Sequence, residues 1–257
     1  MGKIIAVANQ KGGVGKTTTA VNLAGGLGEQ GKKVLLCDLD PQGNATSGLG
    51  VNKREVELSC YDVLINKVEV EKATLKTAFK NVWILPSHIS LAGAELELVE
   101  SDNRTMGLRA SLLREKEKYD FILIDCPPSL GLITVNALAA ADSILIPIQC
   151  EYYALEGLSQ LISTVRTVKR MYNDRLEIEG VLLTMYDSRL NLTVQVVDEV
   201  KKYFAGKIFR TVIPRAVRLS EAPSFGQPIM YYDRASKGTE AYLSLAREVI
   251  QNNKKRS

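Results

Sequence analysis

Residues 8–20 read ANQKGGVGKTTTA. Glycines, lysines and threonines packed this densely are the means to hold a polyphosphate. Glycine lets backbone N–H groups turn toward one anion without a Cβ in the way. Lys16 is placed to reach β- and γ-phosphates, the Thr17 hydroxyl to ligate Mg²⁺, and Thr18 to donate a further hydrogen bond. The end of the stretch, Gly15-Lys16-Thr17, fits the common phosphate loop of a glycine, four residues and Gly-Lys-Ser/Thr. Its beginning does not. Gln10 stands where the first glycine belongs; Gly12 and Gly13 come later, before Val14, and an extra lysine, Lys11, precedes them. The dinucleotide fingerprint G-x-G-x-x-G fits worse, because Gly13-Val14-Gly15-Lys16-Thr17-Thr18 lacks its third glycine.

Two acidic stretches suit such a loop. VLLCDLDPQGN puts Asp38 and Asp40 after an apolar run, and FILIDCPPS ends another with Asp125. A carboxylate at a strand end that faces a phosphate loop completes a magnesium site; the alternative for Asp125 is a turn cap beside Pro127 and Pro128. Asp40 precedes Pro41-Gln42-Gly43, a turn-forming stretch able to move with nucleotide state. Its carboxylate can orient or deprotonate an attacking water. Guanine-specific phosphate-loop proteins carry Asn-Lys-x-Asp after a late strand. The nearest match, Asn66-Lys67-Val68-Glu69, lacks the Asp and the strand, which favours ATP.

The elements that must carry these residues alternate. Strand-like runs cover 3–9, 33–40, 81–87, 121–128, 143–149, 178–186 and 208–214. Several are unbroken β-branched and Leu runs, as in strands buried on both faces. Between them lie helical stripes: Ala20, Leu23, Ala24 and Leu27 within 17–30, with Gly31 as the stop, and Leu192, Val196, Val200 and Phe204 within 191–204. The alternation predicts an α/β fold, a doubly wound, mostly parallel sheet with helices on both faces. Its ligands belong at the carboxyl ends of the strands. No linker or repeat divides 1–257, so one domain is expected, with 252–257 as a frayed tail.

Composition excludes some classes. No run of eighteen apolar residues occurs, which argues against a membrane-spanning helix. The cysteines, Cys37, Cys60, Cys126 and Cys150, are far apart in sequence, so neither a metal knuckle nor a metallocluster is expected. His88 has no catalytic partner in view. The net charge of +4 conceals an imbalance: residues 1–159 hold 16 Lys/Arg and 19 Asp/Glu, net −3, and 160–257 hold 17 and 10, net +7. Both a polyanion partner and an uneven solvated surface are consistent with that.

KGGVGKTT (11–18), LDPQGNATSGLG (39–50), IDCPPSLGLITVNAL (124–138), QCEYYALEGLSQL (149–161) and VIPRAVRLSEAPSFGQPI (212–229) together resemble the ParA branch of the ParA/MinD family of ATPases with a deviant phosphate loop. The resemblance spans nearly the whole chain. It implies an ATP- and Mg²⁺-dependent homodimer that sandwiches two nucleotides, with Lys11 reaching across to the other subunit's phosphates. It implies cofactor contacts from Lys11, Gly12, Gly13, Val14, Gly15, Lys16, Thr17 and Thr18, and metal contacts from Thr17, Asp40 and Asp125. Hydrolysis falls to Lys11, Lys16 and Asp40. Pro214, Arg215 and Ala216 match a segment that contacts adenine, although this branch is expected to carry Asn at 216 and Ala216 has no side-chain hydrogen bond to offer. Arg189 and Arg218 match arginines that bind double-stranded DNA without sequence preference; read alone, the residues favour a surface ion pair instead, Arg189 with Asp187 and Arg218 with Glu221. The implied function is DNA partitioning on the nucleoid in the cytoplasm, with slow hydrolysis stimulated by a ParB-like centromere-binding protein. The MinD-like, membrane-cycling branch is the alternative. It needs a C-terminal amphipathic helix with apolar and basic faces, whereas TEAYLSLAREVIQ (239–251) reads as a packed helix.

Overall fold

The structure, a computed structural model, describes residues 2–101, 103–150, 154–187, 189 and 191–254, without the side chains of 154–157 and 191–195. Its centre is a seven-stranded sheet made of β1 (Lys3–Val7), β2 (Val34–Asp38), β3 (Leu75–Lys76), β4 (Val82–Leu85), β5 (Phe121–Asp125), β6 (Ser143–Gln149) and β7 (Glu177–Thr184). The order is β3-β4-β2-β5-β1-β6-β7. Every pairing is parallel except the antiparallel edge of β3 on β4. Around it lie α1 (Lys16–Glu29), α2 (Asn44–Gly48), α3 (Cys60–Leu64), α4 (Val70–Ala73), α5 (Ala94–Val99), α6 (Gly107–Leu113), α7 (Leu132–Ala140), α8 (Ala154–Met171), α9 (Asn191–Tyr203), α10 (Val217–Glu221), α11 (Ile229–Tyr232) and α12 (Lys237–Lys254).

The period-2 geometry of a strand divides the core in two. Ile4 and Ala6 of β1, Leu35 and Cys37 of β2, and Ile122 and Ile124 of β5 join the cluster beneath α3 and α5–α9. Their neighbours Ile5, Val7, Leu36 and Leu123 join the cluster under α1 and α12. Both faces are therefore covered, as a parallel sheet requires. Helix α1 approaches α12 so closely that a Cβ on Gly26 would stand 3.1 Å from the Tyr242 carbonyl oxygen and 3.2 Å from the Ala246 Cβ. Gly31, at φ +79°, ends α1 as its sequence predicts. In α9, Val196, Val200 and Phe204 are buried; the Leu192 side chain lies outside the described residues. The four cysteines are buried and unbridged.

The expected strand over 208–214 does not form. The segment touches β7 through two isolated parallel bridges, Val181 with Ile208 and Tyr186 with Pro214. Two things interrupt the ladder. Pro214 has no N–H to give. The Glu248 carboxylate on α12 accepts the N–H of Arg210 at 2.8 Å and of Thr211 at 3.0 Å, donors a strand would need. Within the expected frayed tail, 252–254 continue α12, and Asn253 donates to Glu179 Oε1 at 2.7 Å; 255–257 lie outside the described residues. Strand β3 escapes a sequence reading because its two residues are exposed and carry no alternation.

Candidate active site

The carboxyl ends of β1, β2, β5 and β7 converge on one place. From β1 the chain enters the loop 8–15, which delivers it to the amino end of α1. Gly13 and Gly15 sit at φ +74° and +85°, left-handed backbone that glycine adopts at no steric cost. Gly15 is the N-cap of α1, and no side chain caps it, so the first N–H groups of the helix keep capacity for an anion. Gly12 and Gly13 are exposed and nothing would meet a Cβ there. Their freedom is conformational rather than steric.

Two distant contacts hold the loop. Asn9 donates to the Pro147 carbonyl at 2.7 Å and accepts the Lys11 N–H at 3.1 Å. Thr184, at the end of β7, donates to the Val14 carbonyl at 2.8 Å. The Lys16 ammonium lies across the loop and donates to the Lys11 carbonyl at 3.0 Å. It is buried, and burial lowers its pKa against the opposing charges of Asp125, Cys126 and Asp40. Lys11 itself is half-buried at the rim.

Asp125 ends β5 in register with Val7 on one side and Asp38 on the other. It is fully buried, and among the described residues neither carboxylate oxygen has a hydrogen bond of good geometry. Burial, then the charge of Asp38, pushes its pKa well up, with the Thr17 hydroxyl and Lys16 opposing. A buried ionisable group left this way marks a place for a cation. With the Thr17 hydroxyl beside it, the oxygen-only donor set suits Mg²⁺, which keeps waters and takes one or two protein oxygens. Asp40 lies one turn beyond β2, half-buried, its Oδ1 accepting the Gln42 N–H at 2.9 Å. Lys16 and Thr17 of the loop, Asp40 and Asp125 thus lie close together.

Beside the loop, Pro214, Arg215 and Ala216 line a cavity of about 340 Å³ whose other walls include Gly15, Thr18 and Leu219. The predicted base-side segment is therefore adjacent to the phosphate loop although nearly two hundred residues separate them. Arg189 and Arg218 lie elsewhere, in separate ion pairs. Arg189 donates to both oxygens of Asp187, at 2.9 and 2.6 Å, and pulls that carboxyl down to about 2. Arg218 donates to Glu221 at 2.9 Å and stands 3.6 Å from Asp233. Both guanidinium groups remain largely exposed, 87% and 57%.

A profile of the AAA domain family matches residues 2–178. The sporulation initiation inhibitor protein Soj of Bacillus subtilis is 60% identical over 98% of this chain and 100% of its own length. The chromosome partitioning protein ParA of Myxococcus xanthus is 52% identical over 100% of this chain and 91% of its own. The chain belongs to the ParA/Soj family of ATPases. Among solved structures, cobyrinic acid a,c-diamide synthase of Mycobacterium smegmatis with a bound ATP analogue and magnesium superposes with a TM-score of 0.90, at 36% identity, over 100% of this chain and 97% of that one.

Several residues that shape the site of this ParA/Soj member are not visible as a motif. Thr184 pins the loop from 170 residues away. Thr46 and Ser87 join Asp38 behind Asp40. Asn9 alone carried a signal, as a polar residue closing an apolar strand, and its position before the glycines marks it in retrospect. No helix among the described residues is long and apolar enough to cross a membrane.

Proposed function

We propose that this ParA/Soj-family ATPase is a DNA-partitioning switch. ATP and Mg²⁺ bind at the loop and drive a two-nucleotide homodimer, the dimer holds DNA without sequence preference, and slow hydrolysis stimulated by a ParB-like protein releases it. The observation that carries the nucleotide part is Asp125: a buried carboxylate beside Lys16 and Thr17 that has no hydrogen bond of good geometry among the described residues. Bound Mg²⁺ would neutralise phosphate charge between Thr17 and Asp125. Lys16 exchanges its bond to the Lys11 carbonyl for phosphate oxygens. Backbone N–H groups of residues 12–18 hold the phosphates, and the cavity at Pro214–Ala216 takes the base, shaped by apolar walls rather than by a side-chain bond from Ala216. Asp40 orients the attacking water and takes its proton. Lys11, at the rim, serves the nucleotide of the other subunit.

For DNA, the exposed Arg189 and Arg218 trade their carboxylate partners for phosphates, an exchange that costs little because exposed ion pairs are weak. The MinD-like reading loses support from α12. Its apolar side, Tyr242, Leu245, Ala246 and Val249, is buried against α1 and α11 rather than presented to a lipid surface. The test is ATP turnover alone, with random-sequence DNA, and with DNA plus a ParB-like protein. Turnover should rise only when both are present. Turnover indifferent to both would refute the partitioning role while leaving the ATPase intact.

A further inference from the structure

Asp40 is not held by its own side chain alone. A closed ring of hydrogen bonds runs behind it. The Asp40 N–H donates to Asp38 Oδ1 at 3.2 Å. The Ser87 hydroxyl donates to the Asp40 carbonyl at 2.6 Å. The Ser87 N–H donates to Thr46 Oγ1 at 2.9 Å, and that hydroxyl donates in turn to Asp38 Oδ2 at 2.7 Å. The Thr46 N–H adds a second bond to the same oxygen, also at 2.7 Å. Asp38, Thr46 and Ser87 are buried, at 0% exposure each.

The sense of the ring is fixed by its chemistry. A backbone N–H can only donate, so Ser87 obliges the Thr46 oxygen to accept and its proton to point elsewhere. Among the described residues, the acceptor it meets is Asp38. Asp38 therefore receives three donors and gives none, the work of a carboxylate and not of an amide. The ring ties together the ends of β2 and β4 and the start of α2, so both backbone polar groups of Asp40 are gripped while its carboxylate faces the phosphate loop.

We infer that Asp38, Thr46 and Ser87 are positioning residues for hydrolysis: they fix the Asp40 backbone so that its carboxylate meets the attacking water in register. This rests on the role proposed for Asp40. Chemistry of this kind is steep in geometry, a displacement near 1 Å costing about a hundredfold in rate. Loss of the ring should fall on kcat, because the phosphate and base contacts lie on other segments, the loop 12–18 and Pro214–Ala216.

The test is steady-state ATP hydrolysis, with nucleotide affinity measured separately by a fluorescent ATP analogue, on Thr46→Val, Thr46→Ser, Ser87→Ala and Asp40→Ala. Thr46→Val keeps the shape and removes two links of the ring. It should lower kcat about ten- to a hundredfold, with KM and analogue affinity within about twofold of wild type. Thr46→Ser restores both links and should recover most of the rate. Ser87→Ala removes one hydroxyl and keeps the Ser87 N–H bond, so it tests the ring without a buried donor left over; a drop of about tenfold is expected. If Asp40→Ala is inactive but Thr46→Val and Ser87→Ala turn over like wild type, the ring has no positioning role. If Thr46→Val and Thr46→Ser fall equally, the hydroxyl is not what matters and the inference fails. If Asp40→Ala keeps full turnover, the role of Asp40 itself is wrong, a separate failure.

Discussion

Replacing Asp125 by Asn should make the nucleotide-free protein more stable and the nucleotide-bound protein less so. The carboxylate is fully buried, and neither oxygen has a hydrogen bond of good geometry among the described residues. Its pKa is raised, chiefly by burial and then by Asp38. Because the folded value lies above the unfolded one, the native state holds its proton to higher pH than the unfolded chain. Stability from this group is complete below the unfolded value and is lost as pH rises through the folded value. At neutral pH and above, the residue is a standing cost. Burying an ionised group costs on the order of several kcal/mol, and leaving a neutral amide unbonded costs about 1–3 kcal/mol. The substitution should therefore gain about 2 kcal/mol, or about 4–8 °C in Tm for a chain of this size. With Mg²⁺ and ATP the order should reverse. The variant loses a contribution to the cation, and a tenfold weaker affinity removes about 1.4 kcal/mol of ligand-induced stabilisation at saturating ligand. Thermal melts with EDTA, and with Mg²⁺ and ATP, read both halves. A lower Tm for Asp125→Asn with EDTA, or the same Mg²⁺-dependent rise as wild type, would refute the reasoning.

Lys11→Ala should bind ATP about as well as wild type and fail to dimerise or hydrolyse, since Lys16 serves the same subunit's phosphates; sedimentation velocity with ATP reads the dimer, and an intact dimer with normal turnover counts against the cross-subunit role. The double substitution Arg189→Ala, Arg218→Ala should abolish DNA binding and spare ATP-dependent dimerisation, and the salt dependence of binding by wild type should be steep; filter binding across a salt series checks both. Gly180→Ala should destabilise the protein by about 1–3 kcal/mol, because a Cβ there would stand 2.5–2.9 Å from the Phe209 ring and push the 208–214 segment off β7; urea unfolding measures it.

What a sequence can disclose depends on how far apart the partners are. The strands β1, β2, β5 and β6 announce themselves because burial on both faces demands unbroken apolar runs. The phosphate loop announces itself because anion binding demands glycine and lysine at fixed offsets. The segment 208–214 has the same apolar look, yet the N–H groups of Arg210 and Thr211 go to Glu248, 38 and 37 residues on, and no local pattern records that. The bond from Thr184 to Val14 and the ring of Asp38, Thr46 and Ser87 are hidden for the same reason. The pairings of Arg189 with Asp187 and Arg218 with Glu221 were legible, being two and three residues apart. The DNA contact proposed for both belongs to an assembly rather than to a local pattern of the chain.

In the proposed cycle ATP, not its product, creates the DNA-binding form. The most direct measurement is co-sedimentation of the Asp40→Ala protein with random-sequence DNA, in Mg²⁺ with either ATP or ADP. Asp40→Ala should hold ATP unhydrolysed, so the account predicts firm DNA binding with ATP and none with ADP at the same protein concentration. Equal binding with the two nucleotides, or binding with neither, would contradict it.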